Sequence, residues 1–279
     1  MKYIDKQNEA SKEAAERLHD WRDEYIYQKK DFPQYHGMTF REICKALTGG
    51  QLWDLLNNKD PYRKSLRIEQ NNLCCYCCEE LKNGTGRTAI DHFEDKNTNP
   101  CKTFNYDNLL LACDGNRKKK IYRFLPYDSW ETVAKHFETT PEALKLQITN
   151  LSFISGEEVS VEWIHHCDAA KGNKSILINP SLEEEKTCWE RFNYDSDGNI
   201  KAAEGDSDAQ NTIDVLNLNV TILQNKRKNA WAGFDKIIET EINDVIENFG
   251  VNTKEAVEFL LKTSPSFCVV KWALLKSVI

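Results

Sequence analysis

The chain has 279 residues, of which 40% are hydrophobic and 29% are charged, and its formal net charge is −7. This composition is typical of a soluble globular protein, and no apolar run approaches the ~20 residues that a membrane-spanning helix needs. The acidic balance excludes a protein that coats nucleic acid by charge alone. Because the first residues are polar, we expect a cytoplasmic protein that does not associate with a membrane.

Residues 1–70 are predicted to form an N-terminal helical region, because apolar residues recur there at helical spacing. The glycine pair Gly49 and Gly50 is expected to interrupt the second helix of this region, and Asp60-Pro61 to end it. The helical patterns cover residues 8–28, 40–56 and 63–70.

Residues 71–180 are predicted to form a second region, in which strands and loops are mixed. A turn signal at residues 83–86 precedes a β-prone segment, so a short hairpin is predicted over residues 76–93. Residues 105–112 are predicted to be a loop that enters an apolar turn.

Residues 121–164 have the pattern of an insertion within this second region. The segment that starts at Pro141 is predicted to be a helix with proline near its first position. Val159, Val161 and Trp163 are apolar at every second position, which predicts a strand. Residues 165–173 follow and end in Gly-Asn, which predicts a short helical turn.

Residues 181–279 are predicted to form a C-terminal helical region. A hairpin with an Asp-Gly-type turn is expected over residues 192–199. From Ala209 onward apolar residues recur at helical spacing, and Pro265 marks a break before a last helix. The sequence therefore predicts an α+β fold that is mostly helical.

Six of the ten cysteines lie within residues 72–116, and four of these fall within five positions. Adjacent cysteines are poor disulfide partners because a bridge requires specific Cβ separations, so this clustering indicates metal binding. Zinc takes four tetrahedral ligands, and two residues between ligands let one tight turn present both sulfur atoms. Cys74 and Cys77 have this spacing, and Cys75 and Cys78 form a competing pair.

The other two zinc ligands must come from distant positions, and we select Cys113 and Cys167. Cys74 and Cys77 are the preferred close pair, while the competing register stays open. Buried or redox-active thiols without a metal are the alternative interpretation. If zinc is bound, it largely determines the local fold.

The Asp91-His92 pair is the best candidate for chemistry. A neutral imidazole accepts a proton from water near pH 7, and a carboxylate binds Mg²⁺ or Mn²⁺. Neighbouring residues of a strand point to opposite faces, so both side chains reach one metal only if the strand bends. His92 is therefore the stronger candidate of the two, and a purely structural histidine is the alternative.

Four motifs in series resemble the HNH endonuclease motif, a ββα-metal finger. They are Cys-x-x-Cys from Cys74, Asp91-His92, Asn-Leu-x-x-x-Cys from Asn108, and Cys-Asp-x-x-Lys-Gly from Cys167. More narrowly, the chain resembles the PtuB-type HNH proteins that occur beside a PtuA-type ATPase in Septu and retron anti-phage defence systems. The similarity covers most of the chain, including residues 166–173, Asn179-Pro180 and residues 213–219.

This resemblance implies an HNH nuclease core over residues 71–180, between helical regions at 1–70 and 181–279. His92 matches the general base, and Asn108 matches the middle residue that supports the finger loop. Asp91 matches the acidic metal ligand, and Asp168 stands where the motif commonly has His or Asn. An oxygen ligand at that third position favours Mg²⁺ or Mn²⁺ as the catalytic ion. The candidate nucleic-acid contacts are Arg117, Lys118, Lys119, Lys120 and Lys171.

The insertion is a departure from the motif, because it separates Cys113 from Cys167. The finger closes only if the insertion leaves and returns at one point, which loop entropy permits. His165 and His166 are alternative ligands. The leading hypothesis is a DNA endonuclease with structural zinc and a PtuA-type ATPase partner. The alternatives are a zinc-stabilised adaptor without catalysis and a nuclease that acts on RNA.

Overall fold

The computed structural model describes residues 1–27, 35, 37–81, 88–123, 131, 134–135, 140, 142, 157–185 and 187–263. It is an α+β protein, about half helical, with small two-stranded antiparallel sheets, so the predicted fold class is confirmed at that level. The chain divides into two compact units. One contains Met1–Gly115 and His166–Ile279, and the other contains Asn116–His165.

Four α-helices form the N-terminal part of the first unit. They are α1 (Glu9–Trp21), which continues as a π-helical turn at Arg22–Tyr27, α2 (Phe40–Ala46), α3 (Gly49–Leu55) and α4 (Asp60–Glu69). Two of them begin with a capping box. The side chain of the capping threonine accepts a hydrogen bond from the backbone N–H of the third helical residue, and the side chain of that residue accepts one from the backbone N–H of the threonine. The pairs are Thr39 with Glu42 and Thr48 with Gln51.

Two predicted helix boundaries in this part were wrong. The break between α2 and α3 falls at Leu47 and Thr48, because Thr48 caps α3 and the glycine pair becomes its first turn. Asp60-Pro61 begins α4 rather than ending a helix. Proline is tolerated there because backbone N–H groups in the first turn make no hydrogen bond within the helix, so its missing N–H costs nothing. Gly49 also allows a close approach: a Cβ there would lie 2.1 Å from the carbonyl oxygen of Lys96.

The central sheet of the first unit pairs β1 (Thr88–His92) with β2 (Leu109–Cys113) in antiparallel register. Asp91 lies opposite Leu110, and His92 lies opposite Leu109. The predicted hairpin over residues 76–93 and the predicted loop at 105–112 were therefore wrong. Every residue of β2 is buried, so its backbone groups need partners: β1 supplies them along one edge, and Gln70, Cys75 and Lys6 bond to Leu111 and Leu109.

In the second unit, the described residues include an antiparallel pair of strands, β3 (Asn116–Arg123) and β4 (Glu157–His165), with an irregular register at Ile121 and Tyr122. This unit includes the predicted insertion. Pro141, where a helix was predicted to begin, lies outside the described residues.

The chain leaves the first unit and returns to it at one point. The N–H of His166 donates a 3.0 Å hydrogen bond to the carbonyl oxygen of Gly115. Gly115 has φ +61°, and a Cβ there would lie 1.6 Å from the carbonyl oxygen of His166, so only glycine fits. The short helix α5 (Cys167–Lys171) follows directly and contacts β2.

Among the described residues from Phe192 to Thr263, a small hairpin is followed by four α-helices. The hairpin is the one predicted with an Asp-Gly-type turn. Its strands are β5 (Phe192–Tyr194) and β6 (Ile200–Ala202), and the helices are α6 (Ser207–Val215), α7 (Thr221–Asp235), α8 (Ile238–Phe249) and α9 (Thr253–Thr263). Within the described part of the chain, every helix is too short or too polar to cross a membrane.

One buried cluster joins the helices to the central sheet. Leu18 of α1, Leu52 of α3 and Leu66 of α4 pack with the whole of β2. A buried ion pair between Lys6 and Glu69 lies at the edge of this cluster, and the Lys6 ammonium also donates to the carbonyl oxygen of Leu109. Packing on both sides therefore fixes β2, against which β1 and α5 are positioned.

Candidate active site and metal centre

Four cysteines converge at one end of β2. Cys74 and Cys77 lie in a tight turn after α4, which the N–H of Cys78 closes by donating to the carbonyl oxygen of Cys74. Cys113 ends β2, and Cys167 begins α5. The four sulfur atoms are buried and lie within 4.8 Å of one another. Four thiolates around tetrahedral zinc have sulfur atoms about 3.8 Å apart, and the Sγ atoms of Cys77 and Cys113 are 3.9 Å apart.

Electrostatics in this cluster favour a bound cation. Burial alone would raise the pKa of the Cys74 thiol, but hydrogen bonds from the neighbouring thiols, first those of Cys113 and Cys167, lower it well below its usual value. Burial raises the pKa of Cys167 well above its usual value. A cation that replaces these protons allows all four sulfurs to act as thiolates. The group could therefore hold a metal such as zinc.

The competing thiols have other surroundings. The backbone N–H of Cys75 donates to the carbonyl oxygen of Leu111, and Cys78 packs with Leu73 in a small separate cluster. His166 is buried beside the four thiols, with Nδ1 3.2 Å from the Sγ atom of Cys167. His165 is the last residue of β4. The four gathered thiols are therefore those that the sequence favoured.

Asp91 and Asp168 bring two carboxyl groups together between β1 and α5. Burial, followed by the negative charge of Asp91 and a hydrogen bond with it, raises the pKa of Asp168 to about 7. The ammonium group of Lys171 lies 3.0 Å from Oδ2 of Asp91, and the hydroxyl of Tyr76 donates to the same oxygen. Two carboxyl groups that share a hydrogen bond offer oxygen ligands of the kind that a hard divalent cation prefers.

His92 points to a different set of partners from Asp91, as expected for neighbours in a strand. Its Nε2 lies 3.0 Å from the carbonyl oxygen of Thr103. A carbonyl only accepts, so the neutral imidazole carries its proton on Nε2 and has a lone pair on Nδ1. The imidazole ring packs edge-on against the indole of Trp53, with the ring centroids 4.7 Å apart. Burial lowers the pKa of His92 to about 4, so the imidazole is neutral at pH 7.

Asn108 connects the segment after β1 to the start of β2. Its Oδ1 accepts a 2.8 Å hydrogen bond from the N–H of Glu94, and its Nδ2 donates to the carbonyl oxygen of the same residue at 3.0 Å. The N–H of Phe93 donates to the carbonyl oxygen of Asn108. The side chain is 6% exposed, so Asn108 acts as an internal brace for the segment that follows His92.

The basic residues proposed as nucleic-acid contacts have two different placements. Lys171 is 1% exposed and ion-paired with Asp91, so in this structure its ammonium group is not accessible to a nucleic acid, contrary to the predicted contact. The other four residues lie in β3 of the second unit, and their side chains are outside the described part of the structure. They are Arg117, Lys118, Lys119 and Lys120.

Three residues of the site were missed by the sequence reasoning. Tyr76 lies between Cys75 and Cys77, and nothing in the sequence indicated a role for it apart from that of the cysteines. Trp53 and Thr103 lie on segments whose contact with β1 depends on tertiary packing. No motif could have identified their roles before the structure.

No protein-family model matches this chain, and no curated protein matches it. The functional conclusion therefore rests on the geometry of the site. Within the described residues that geometry combines four converging thiols that could hold a metal, a carboxyl pair and a neutral histidine.

Proposed function

We propose that this chain is a metal-dependent endonuclease of the HNH class that hydrolyses DNA phosphodiester bonds. The observation that carries the proposal is that the carboxyl groups of Asp91 and Asp168 come together, with a neutral His92 at the next position of β1. The order of β1, β2 and α5, with α5 in contact with β2, supports a ββα finger. The thiol cluster supports a structural zinc that ties the two cysteine-bearing ends of this finger together.

His92 would act as the general base in this reaction. Its Nε2 proton is directed to the Thr103 carbonyl, so Nδ1 is the atom that accepts a proton from the attacking water. Burial keeps His92 neutral at pH 7, so it need not lose a proton first, but its pKa of about 4 makes it a weak base until bound phosphate and cation change its surroundings. Asn108 would act as a positioning residue, because it braces the segment that follows His92.

Asp91 and Asp168 would hold the catalytic Mg²⁺ or Mn²⁺. Their carboxyl oxygens are the ligands that these hard cations prefer, and their mutual repulsion is relieved by a positive charge. A divalent cation at this position supplies charge stabilisation for the scissile phosphate and the leaving 3′ oxygen. The carboxyl groups would hold the phosphate on the Asp91 side of β1, and the imidazole of His92 would reach the attacking water only if β1 bends when the substrate binds.

The decisive experiment is a plasmid-nicking assay with Mg²⁺ or Mn²⁺, with the chain alone and with a PtuA-type ATPase. We expect His92→Ala to abolish nicking while the protein stays folded and retains zinc. His19→Ala, a change of an exposed histidine on α1, is the matched control and should leave nicking unchanged. Nicking that persists in His92→Ala would refute the base assignment, and a parallel assay with RNA identifies the substrate class.

We further propose that the chain acts in the cytoplasm as the nuclease subunit of an anti-phage complex with that ATPase. The support is the sequence resemblance and the net charge of −7, which disfavours tight DNA binding by the isolated chain. We expect weak DNA binding alone and tighter binding with the ATPase. Tight, salt-sensitive binding by the isolated chain would contradict this division of roles.

A zinc-stabilised adaptor without catalysis is the second candidate, and one observation favours it. Both oxygens of Asp91 and Nε2 of His92 already have internal partners, and both side chains are buried. A purely structural site would have these properties. Absence of nicking of any substrate in the presence of the ATPase, together with normal complex formation, would favour the adaptor.

A further inference from the structure

Lys171 occupies an unusual position for a lysine. Its side chain is 1% exposed, and its ammonium group lies 3.1 Å from Oδ1 and 3.0 Å from Oδ2 of Asp91. It also donates a 2.8 Å hydrogen bond to the carbonyl oxygen of His92. Lysine is rarely buried unless it is paired, so this contact with both Asp91 oxygens is a specific feature of the site.

The charges around this ammonium group oppose the binding of a second cation. Asp91 and Asp168 together offer two carboxyl groups, and Lys171 already compensates one of them. A divalent cation that binds Asp91 needs at least one of the oxygens that the ammonium group contacts. If both cations stayed, they would repel each other at short range in a poorly solvated site.

We infer that Lys171 is a built-in competitor for the divalent cation: its ammonium group holds Asp91 in the metal-free protein and leaves when the cation binds. This inference rests on the proposed catalytic cation at Asp91 and Asp168. Lys171 thus sets the metal affinity of the site. It also keeps the acidic pair compensated, because a buried carboxylate without a partner is strongly destabilising.

Calorimetric titration of the zinc-loaded chain with Mn²⁺ at pH 8 tests the inference directly. We expect Lys171→Met to bind Mn²⁺ about tenfold more tightly than wild type, because the competing charge is removed. Lys174→Met is the matched control, since Lys174 is exposed and follows in the same turn, and its affinity should equal that of wild type. Unchanged or weaker Mn²⁺ binding by Lys171→Met would overturn the inference.

A second measurement uses only the wild-type chain, so it remains decisive if Lys171→Met does not fold. Lysines are acylated with a small amine-reactive reagent, and the modified peptides are quantified by mass spectrometry. Without Mn²⁺ the Lys171 amine should be protected, and Mn²⁺ should increase its labelling while that of Lys174 stays constant. Protection of Lys171 that is unaffected by saturating Mn²⁺ would show that the ammonium group does not leave.

The two proposals fail in different ways. Wild-type chain that binds no Mn²⁺, alone or with its ATPase, would refute the catalytic cation and the inference together. Wild-type chain that binds Mn²⁺ and nicks DNA, with Lys171 remaining protected, would refute only the role of Lys171.

Discussion

The indole ring of Trp53 meets the imidazole of His92 edge-on, with ring centroids 4.7 Å apart and an interplanar angle of 86°. Trp53 belongs to α3, whose first residue, Gly49, approaches the Lys96 carbonyl closely. A helix of the N-terminal region is therefore part of the site. Its ring and the Thr103 carbonyl together restrict the orientation of the histidine.

The first prediction concerns this contact. We expect Trp53→Ala to reduce nicking about tenfold to hundredfold, because a misplaced base loses its alignment with the substrate. Loss of the covering ring should also raise the pKa of His92 from about 4 toward its ordinary value, as measured by NMR. Trp53→Phe should recover part of both properties. Trp231→Phe, in a separate apolar cluster, is the control, and an unchanged His92 pKa in Trp53→Ala would refute the positioning role.

The second prediction concerns the brace between Asn108 and Glu94. Asn108→Ala leaves the N–H and C=O groups of Glu94 without their side-chain partner, so we expect a loss of about 2–3 kcal/mol in unfolding free energy. Asn108→Asp would place a buried carboxylate oxygen against the carbonyl oxygens of Glu94 and Lys102, so its loss at pH 7 should be at least as large. Denaturant titration measures both. Asn105→Ala, which removes an exposed cap, should cost only about 1 kcal/mol.

Local elements were predictable where their signals are local. The hairpin of β5 and β6 follows from a turn whose Gly198 has φ +80°, a conformation that glycine adopts freely. The capping boxes at Thr39 and Thr48 are also local signals, but the predicted break at the glycine pair did not take the Thr48 cap into account. This error shows that a well-made cap outweighs the low helix propensity of two glycines.

Strand pairing was not predictable from the same signals. β1 pairs with β2, whereas the sequence predicted a hairpin with the cysteine turn. Leu109–Cys113 is buried at every position, so its sequence lacks the alternation of apolar and polar residues that would have marked it as a strand. The four cysteines that converge could be selected from spacing and chemistry. The surroundings of His92 were not, since the contacts of Trp53 and Thr103 depend on packing between segments distant in sequence.

The third prediction concerns the metal centre. Purified chain should contain one zinc per molecule by elemental analysis, and Cys167→Ser should lose it, because three thiolates bind zinc less tightly than four. Chelation should unfold the region around β2 and α5, with loss of amide protection there. Cys75→Ser is the control and should retain zinc. Equal zinc content in both variants and wild type would contradict the assignment of these ligands.

The fourth prediction concerns Asp168 and pH in the absence of divalent cations. The pKa of Asp168 is raised to about 7 in the folded chain, chiefly by burial and then by Asp91, whereas the ordinary value is 3.8. The folded state therefore binds the proton more readily than the unfolded state. This contribution to stability is complete below pH 3.8 and is lost as pH rises toward 7, at up to about 1.4 kcal/mol for each pH unit.

Asp168→Asn lacks this titration, so the stability of the variant relative to wild type should increase from pH 4 to pH 8. Thermal unfolding at several pH values measures the difference, and taking the variant against wild type cancels the titration of other groups. Addition of Mg²⁺ at pH 8 should stabilise wild type and not the variant, because the cation replaces the lost proton only where both carboxylates remain. Asp244→Asn, on an exposed face of α8, is the control and should show neither effect. A pH-independent difference for Asp168→Asn would mean that its carboxyl does not share a proton or a cation with Asp91.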